Sequence, residues 1–546
     1  MRRHLVRHFV SLSALLGFTL RAIPADAAPV PCESLAKLSL PETTITAAQE
    51  ITSGEFAAPG GPGPGGGRLT NLPAFCRVAL TVQPQIRIEV WLPASAESFG
   101  GQARTGSSTV AAGGGGWNGS FRGEGGGGYA GNISYAGLAD GIRNGYATAS
   151  TDTGHPTSAG GTFALNADGS LNTQLIGDFA ERSLRELATK GKAVVNAYYG
   201  TPAKHSYWNG CSTGGRQGLM AAQRFPEEYD GLAIAAPAIN WDRFIPSELW
   251  PQIVINKTVG APIAAAKLTL ATKAAIAACD ASDGVTDGVL NDPRKCTYDP
   301  HALVCKPGAD AASCLTSQEA DAVAKIWNGP ATASGQRLWF GLERGTPLNF
   351  LAGNAPFPIA TTHVQYWDHQ DPKFDWRTLT EADFETELRL SQKKFHDAIG
   401  TDEAKLDRFL KRGGKMIIWH GDADQLIFPR GTVDYFERVR AANGGARRVD
   451  DSIRLFLAPG VGHCGGGDGP TPVGVFDAMV NWVEKGIAPQ TLQASRKKPD
   501  GTALTRPLCP YPTTAKWTGK GSADEAANFR CVDGKQQAAD FKVVDR

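Results

Sequence analysis

Residues 206–225 read SYWNGCSTGGRQGLMAAQRF, and the order of residue types there decides the architecture. Ser206-Tyr207-Trp208-Asn209 reads as a short strand and 215–225 as a helix. Between them stands Gly210-Cys211-Ser212-Thr213-Gly214, the only G-x-S-x-G pentapeptide in the chain. A serine on a sharp strand-to-helix turn has strained backbone angles, so its neighbours two positions away must be small. The turn also sets the hydroxyl at a helix N-terminus, where positive potential favours negative charge on oxygen. In a chain with 65 glycines the pentapeptide alone arises easily. The strand before it and the helix after it give it weight.

Outward from this turn, short apolar runs alternate with helical stretches. Strands are expected at 86–92, 108–112, 146–150, 206–209, 232–236, 415–419 and 453–457, with helices at 178–199 and 215–225. Lys415-Met416-Ile417-Ile418-Trp419 is nearly continuous in apolar residues, as a strand covered on both faces should be. Alternation of this kind predicts an α/β fold around a mostly parallel sheet. A serine nucleophile needs a base, and the base needs an orienting carboxylate, in the chain order Ser, Asp or Glu, His. One late strand ends in His420-Gly421-Asp422-Ala423-Asp424, and the next ends in Gly462-His463-Cys464. His463 is the expected base and Asp424 its partner, with Asp422 the competing carboxylate. His420 is either structural or turned toward substrate. Thr213, after the nucleophile, offers one oxyanion amide, and the glycine run 113–119 after strand 108–112 offers the second. The plainer reading of that run is a loop, as it is for the Gly/Pro-rich stretch 54–67.

The alternation stops near Asn240 and resumes near Lys415. The expected division is 1–27 signal peptide, 28–239 first part of the catalytic domain, 240–412 an inserted lid and 413–546 the second part; a separate domain is the alternative for 240–412. Trp339, Phe340, Phe350, Phe357, Tyr366 and Trp367 in that segment are candidates to stack on an aromatic substrate, though most read as core. Arg2, Arg3 and Arg7 precede an apolar run that ends at Arg21, Pro24 and Ala25-Asp26-Ala27, the pattern of an export signal rather than a membrane anchor. Beyond residue 27 there remain 51 basic and 53 acidic side chains, which leaves no field to hold nucleic acid or anionic lipid. Ten cysteines, an even number, suit five disulfides in a secreted or periplasmic protein. Cys32 with Cys76, Cys279 with Cys296, Cys305 with Cys314 and Cys509 with Cys531 are the near pairs. Cys211 and Cys464 remain, one beside the nucleophile and one beside the base. If Ser212 and His463 meet, these two come within disulfide reach, with Cα atoms about 5–6 Å apart.

The segments GGGGWNGS (113–120), 207–231, CDASDGVTDGVLNDPRKC (279–296), GGKMIIWHGDADQLI (413–427), APGVGHC (458–464) and RPLCPYP (506–512) resemble the tannase/feruloyl esterase family of α/β-hydrolases, which also includes a bacterial mono(2-hydroxyethyl) terephthalate hydrolase. The resemblance implies an α/β-hydrolase fold with a large inserted lid domain. It implies a Ser212, Asp424, His463 triad, a Cys211–Cys464 disulfide and oxyanion amides at Gly116 and Thr213. It also implies a structural Ca²⁺ in the lid, with carboxylates from Asp280, Asp283 and Asp287 and carbonyl oxygens from Val285 and Val289. Alternating oxygen ligands in a tight loop suit a hard cation; without the resemblance the loop reads as a solvated Asx-turn. The expected activity is hydrolysis of feruloyl- or galloyl-type aromatic esters by a monomer or weak homo-oligomer that binds no nucleic acid or membrane. A terephthalate-type hydrolase, or a binding protein for polyphenols or carbohydrates that has kept the fold, is the alternative.

Overall fold

The computed structural model describes residues 29–52, 54–63, 66–94, 116–534 and 542–544. The signal-like segment, the strand expected at 108–112 and glycines 113–115 lie outside the described residues. The chain is α/β. Its main sheet is built from β1 (Thr43–Ile51), β4 (Phe75–Val82), β5 (Ile86–Pro93), β6 (Ser120–Glu124), β7 (Ala147–Thr151), β8 (His205–Cys211), β9 (Gly231–Ala235), β10 (Lys415–Gly421) and β11 (Ile453–Ala458). The spatial order is β1-β4-β5-β7-β6-β8-β9-β10-β11. The first three strands pair antiparallel, as do β5 and β7; from β7 to β11 every pair is parallel. All C-terminal ends of that parallel half therefore share one edge, where loops can converge.

The central strands bury both faces, whereas β1 at the edge stays partly exposed. Met416 and Ile418 of β10 join the core under helices Ser183–Tyr199, Thr213–Arg224 and Pro429–Ala442, while Ile417 and Trp419 face Met479 and Trp482 of helix Val475–Lys485. That two-sided burial is why KMIIW carries no polar alternation. Six of the seven expected strands appear within one or two residues of their predicted ends; the seventh is the undescribed 108–112.

Two expectations fail. The stretch 54–67, expected as loop, instead contributes its described residues 55–63 and 66–67 to an antiparallel pair, β2 (Glu55–Gly63) with β3 (Gly66–Thr70). Phe56 anchors it, 5.0 Å from the Trp91 ring and 6.3 Å from Phe75, and an isolated edge hairpin tolerates the prolines that a central strand would not. Strand β6, SFRGE, gave no signal because two of its buried residues are charged. Arg122 and Glu124 pair with each other, and the Arg122 guanidinium lies 4.4 Å over Phe476.

Between Ala235 and Lys415 the chain adds no strand to the main sheet. It runs as helices, among them Trp241–Glu248, Ala265–Cys279, Ser317–Asn328 and Phe384–Ile399, around a core that includes Trp241, Trp339, Phe340 and Trp367. The C-terminal part forms a three-stranded sheet of β12 (Thr471–Val473), β13 (Leu492–Lys497) and β14 (Ala503–Leu508), and a pair, β15 (Thr514–Trp517) with β16 (Phe529–Val532). Among the described residues no helix is long and apolar enough to cross a membrane. All five disulfides form with the pairing expected from the sequence.

Candidate active site

Ser212 sits at the C-terminal end of β8 with φ 62° and ψ −124°, a left-handed backbone that a serine adopts only when the surroundings enforce it. The enforcement is steric. A Cβ on Gly210 would meet the Gly214 carbonyl at 2.5 Å, and one on Gly125 would lie 2.4 Å from the Gly214 Cα. The turn is held by Ser212 N–H donating to Ala235 O at 3.0 Å and by Ala238 N–H donating to Ser212 O at 3.0 Å. Helix Thr213–Arg224 starts directly after it, so the Thr213 amide is one of the unpaired first-turn donors.

Asp424 and His463 reach the same edge from β10 and β11. Asp424 Oδ2 accepts from His463 Nδ1 at 2.8 Å, while Oδ1 accepts the amides of Leu426 at 2.8 Å and Ile427 at 2.9 Å. Burial alone would raise this carboxyl. The charge of His463 and hydrogen bonds from His420 and His463 outweigh it and hold Asp424 well below the usual carboxylate range. Asp422, the rival, goes the other way. Burial, with Asp292 and Glu343 nearby, overcomes the attraction of Arg294 and Arg430 and pushes it up to about 8. No hydrogen bond joins it to His463, so the carboxylate bonded to the imidazole is Asp424.

No hydrogen bond joins Ser212 Oγ to His463, which is held through Nδ1 and through its amide, bonded to Gln425 Oε1 at 3.2 Å. The Cys211–Cys464 bond joins the residue before Ser212 to the residue after His463, with the cysteine Cα atoms 5.9 Å apart and a sequence separation of 253 residues. A crosslink over so long a loop removes chain entropy from the unfolded state, by up to about 5 kcal/mol in the loop-closure treatment. Replacing both cysteines by alanine is expected to lower Tm and kcat/KM together. Wild-type values of both in a thermal melt and an ester assay would show that the bridge holds nothing in place.

Two placements correct the sequence reading. Gly116 is at the wrong end of the sheet: its carbonyl lies beside Gly145, and Asn118 N–H donates to Gly145 O, just before β7 begins. Ser212 follows the opposite end of β8, about 20 Å away along a seven-residue strand. The glycine run at the active edge is 125–128, which leaves β6. Gly125 N–H donates to Asn209 O at 3.0 Å, Gly126 N–H to Gln217 Oε1 at 2.9 Å, and Thr213 Oγ1 to Gly128 O at 2.5 Å. The sequence does hold this signal, a second glycine run just past SFRGE, but buried charges hid the strand that gives it direction. His420 is the other correction. It is fully buried, with Nδ1 2.9 Å from Thr432 Oγ1 and Nε2 3.1 Å from Asp424 Oδ2, so it faces the carboxylate and not a substrate.

The insertion closes over the glycine loop through aromatic contacts. Tyr129 lies 5.5 Å from Trp241 and 5.8 Å from Trp367. Of the six aromatics singled out in the insertion, Trp339, Phe340 and Trp367 are core. Phe350 is 44% exposed, pairs with Phe357 at 5.4 Å, and lines a cavity of about 400 Å³ with Val289, Arg344, Gln425 and Gly462; neither Ser212 nor His463 lines it.

In the loop expected to hold calcium, Asp280 is buried and accepts the Gly288 amide at 2.8 Å. Asp287 accepts the Val289 amide at 3.1 Å and pairs with Arg506 at 2.5 Å, and Val285 and Val289 line the same crevice. The Asp283 side chain lies outside the described residues, among which no three acidic, histidine or cysteine side chains cluster closely enough to hold a metal. Of the expected carboxylates, Asp280 is thus engaged by backbone amides and Asp287 by Arg506, in a loop clamped by Cys279–Cys296.

The family model for tannase and feruloyl esterase matches residues 110–532. The chain belongs to the tannase and feruloyl esterase family. An uncharacterised esterase of Xanthomonas campestris pv. campestris is 36% identical, over 98% of this chain and 97% of its own. A probable feruloyl esterase of Arthroderma benhamiae is 38% identical, over 76% of this chain and 80% of its own. The structure of feruloyl esterase B from Aspergillus oryzae matches with a TM-score of 0.78 at 27% identity, over 92% of this chain and 99% of that one. As a member of the tannase and feruloyl esterase family, the protein is a carboxylic ester hydrolase.

Proposed function

We propose that the protein is an exported serine esterase that hydrolyses small esters of phenolic carboxylic acids, of feruloyl or galloyl type, by way of an acyl-enzyme on Ser212. The observation that carries the reading is the Asp424–His463 pair, brought beside the strained Ser212 turn by the Cys211–Cys464 bond. His463 takes the Ser212 proton as the oxygen attacks the ester carbonyl, while ionised Asp424 keeps the proton-bearing nitrogen turned away from the serine. The Thr213 amide and the loop 125–128 hold the oxyanion. Since the Gly125 and Gly126 amides are already bonded to Asn209 and Gln217, the loop's contribution comes from its later amides. His463 then returns the proton to the departing alcohol, and water releases the acid through the same base.

Five disulfides fit an oxidising compartment and support export. The test is kcat/KM for methyl ferulate, chlorogenate, methyl gallate and mono(2-hydroxyethyl) terephthalate. A preference for the first three supports the reading. Turnover of the terephthalate monoester alone replaces it, and no turnover with no labelling of Ser212 by a phosphonate leaves a binding protein.

The loop Asp280–Asp283 and its continuation to Val289 is the proposed Ca²⁺ site, a structural one. EGTA is expected to lower Tm, Ca²⁺ to restore it and Mg²⁺ not to, with the shift lost in Asp280→Asn. A melting curve indifferent to EGTA, with no calcium found by elemental analysis, would remove the ion.

A further inference from the structure

Asp424 serves two histidines. Its Oδ2 meets His463 Nδ1 at 2.8 Å and His420 Nε2 at 3.1 Å. The same nitrogen of His420 lies 3.1 Å from the carbonyl oxygen of Ile427. Two acceptors at one ring nitrogen fix the proton there, so Nε2–H donates to both and Nδ1 accepts from the Thr432 hydroxyl at 2.9 Å. His420 belongs to β10, and Thr432 to helix Pro429–Ala442, which packs on that strand. The ring is therefore clamped between two rigid elements and exposes nothing to solvent. It cannot touch a substrate, yet it bonds the oxygen that orients the base.

We propose that His420 is a positioning residue for the esterase reaction: its Nε2–H fixes Asp424 Oδ2 toward His463 and draws off part of the carboxylate's charge. This rests on the triad reading above. The amides of Leu426 and Ile427 secure only Oδ1. Without His420, Oδ2 is held by His463 alone, and the imidazole is aimed by a carboxylate free to rotate about its other oxygen. The electronic effect has a definite sign. A carboxylate oxygen that loses a donor carries more charge, binds the imidazolium more strongly and makes His463 harder to deprotonate. Among the described residues of the insertion, the ionisable group that senses the Asp424 charge is Glu248, in helix Trp241–Glu248. Burial and the Asp424 charge push it far up, toward its neutral form, so it adds no negative charge beside the carboxylate, and no hydrogen bond joins it to Asp424.

The test compares wild type with His420→Phe, His420→Gln and Thr432→Val, using 4-nitrophenyl butyrate across pH 5 to 9. His420→Phe keeps a buried ring without the donor. Its kcat is expected to fall about tenfold with KM near wild type, as for other partners that orient a catalytic ligand, and the acid limb of kcat/KM to move to higher pH. His420→Gln, whose amide reaches the same place, is expected to restore part of both. Thr432→Val moves the limb the same way by less. A folded His420→Phe with the wild-type limb and kcat overturns the proposal. Should that variant not fold, a Thr432→Val profile superimposable on wild type overturns it as well. Turnover that survives Ser212→Ala is a different failure, that of the triad reading.

Discussion

Ser212→Ala is expected to lower kcat by about a millionfold while leaving Tm within a degree or two of wild type. The size follows from the role: without the hydroxyl there is no acyl-enzyme, and only the oxyanion donors and substrate binding remain. The stability follows from the backbone. What holds the strained turn is the contact of Gly210 and Gly125 with Gly214 and the bonds of the Ser212 amide and carbonyl, none of which involves the side chain. Alanine pays the same backbone strain and loses no hydrogen bond. Purified variant and wild type assayed on methyl ferulate, with their melts overlaid, decide the matter; residual activity within a hundredfold would require another nucleophile.

Asp424→Asn is expected to cost about ten-thousandfold in kcat, and unlike the serine change it should also destabilise. Four donors converge on this carboxylate: two backbone amides and two imidazoles. An asparagine has one oxygen to offer. If that oxygen takes the amides, its NH₂ faces the two histidines and forces His463 to accept at Nδ1. The proton then sits on the nitrogen facing Ser212, where it blocks general-base catalysis. Linkage gives the pH signature. The Asp424 carboxyl is held below its unfolded value, so its contribution to stability is fully present above that value, near pH 4, and fades as pH falls further. The Tm gap between wild type and Asp424→Asn should therefore be wide at pH 7 and narrow below about pH 4. Asp422→Asn is the contrast. Its carboxyl is pushed up to about 8 and is neutral at pH 7, so the amide should leave kcat near wild type there. A large loss of kcat in Asp422→Asn and a small one in Asp424→Asn would exchange their roles.

The sequence alone determined the sharp turn at Ser212, the parallel half of the sheet apart from β6, and every disulfide. Those features are local, or follow from chain order: a G-x-S-x-G pentapeptide between a strand and a helix, apolar runs such as Lys415 to Trp419, and cysteines paired by proximity or left over beside Ser212 and His463. The interruption of the alternation between Asn240 and Lys415 was legible in the same way.

What only the tertiary structure decided concerns direction and shared partners. Gly116 and Gly125 are both glycines in glycine runs, and they differ only in which end of β6 they occupy. That strand was invisible because Arg122 and Glu124 neutralise each other inside the core, and a buried ion pair leaves no apolar period to read. Asp422 and Asp424 are two residues apart on one loop. They differ because one is buried with too little compensation and the other gathers four donors brought from separate elements. His420 looked free to face a substrate until helix Pro429–Ala442 supplied Thr432 to hold it behind the carboxylate. A pattern of residue types records what each segment can do by itself. Which groups share one proton, one charge or one edge of the sheet is settled when distant segments pack, because burial and electrostatic fields belong to the assembled fold.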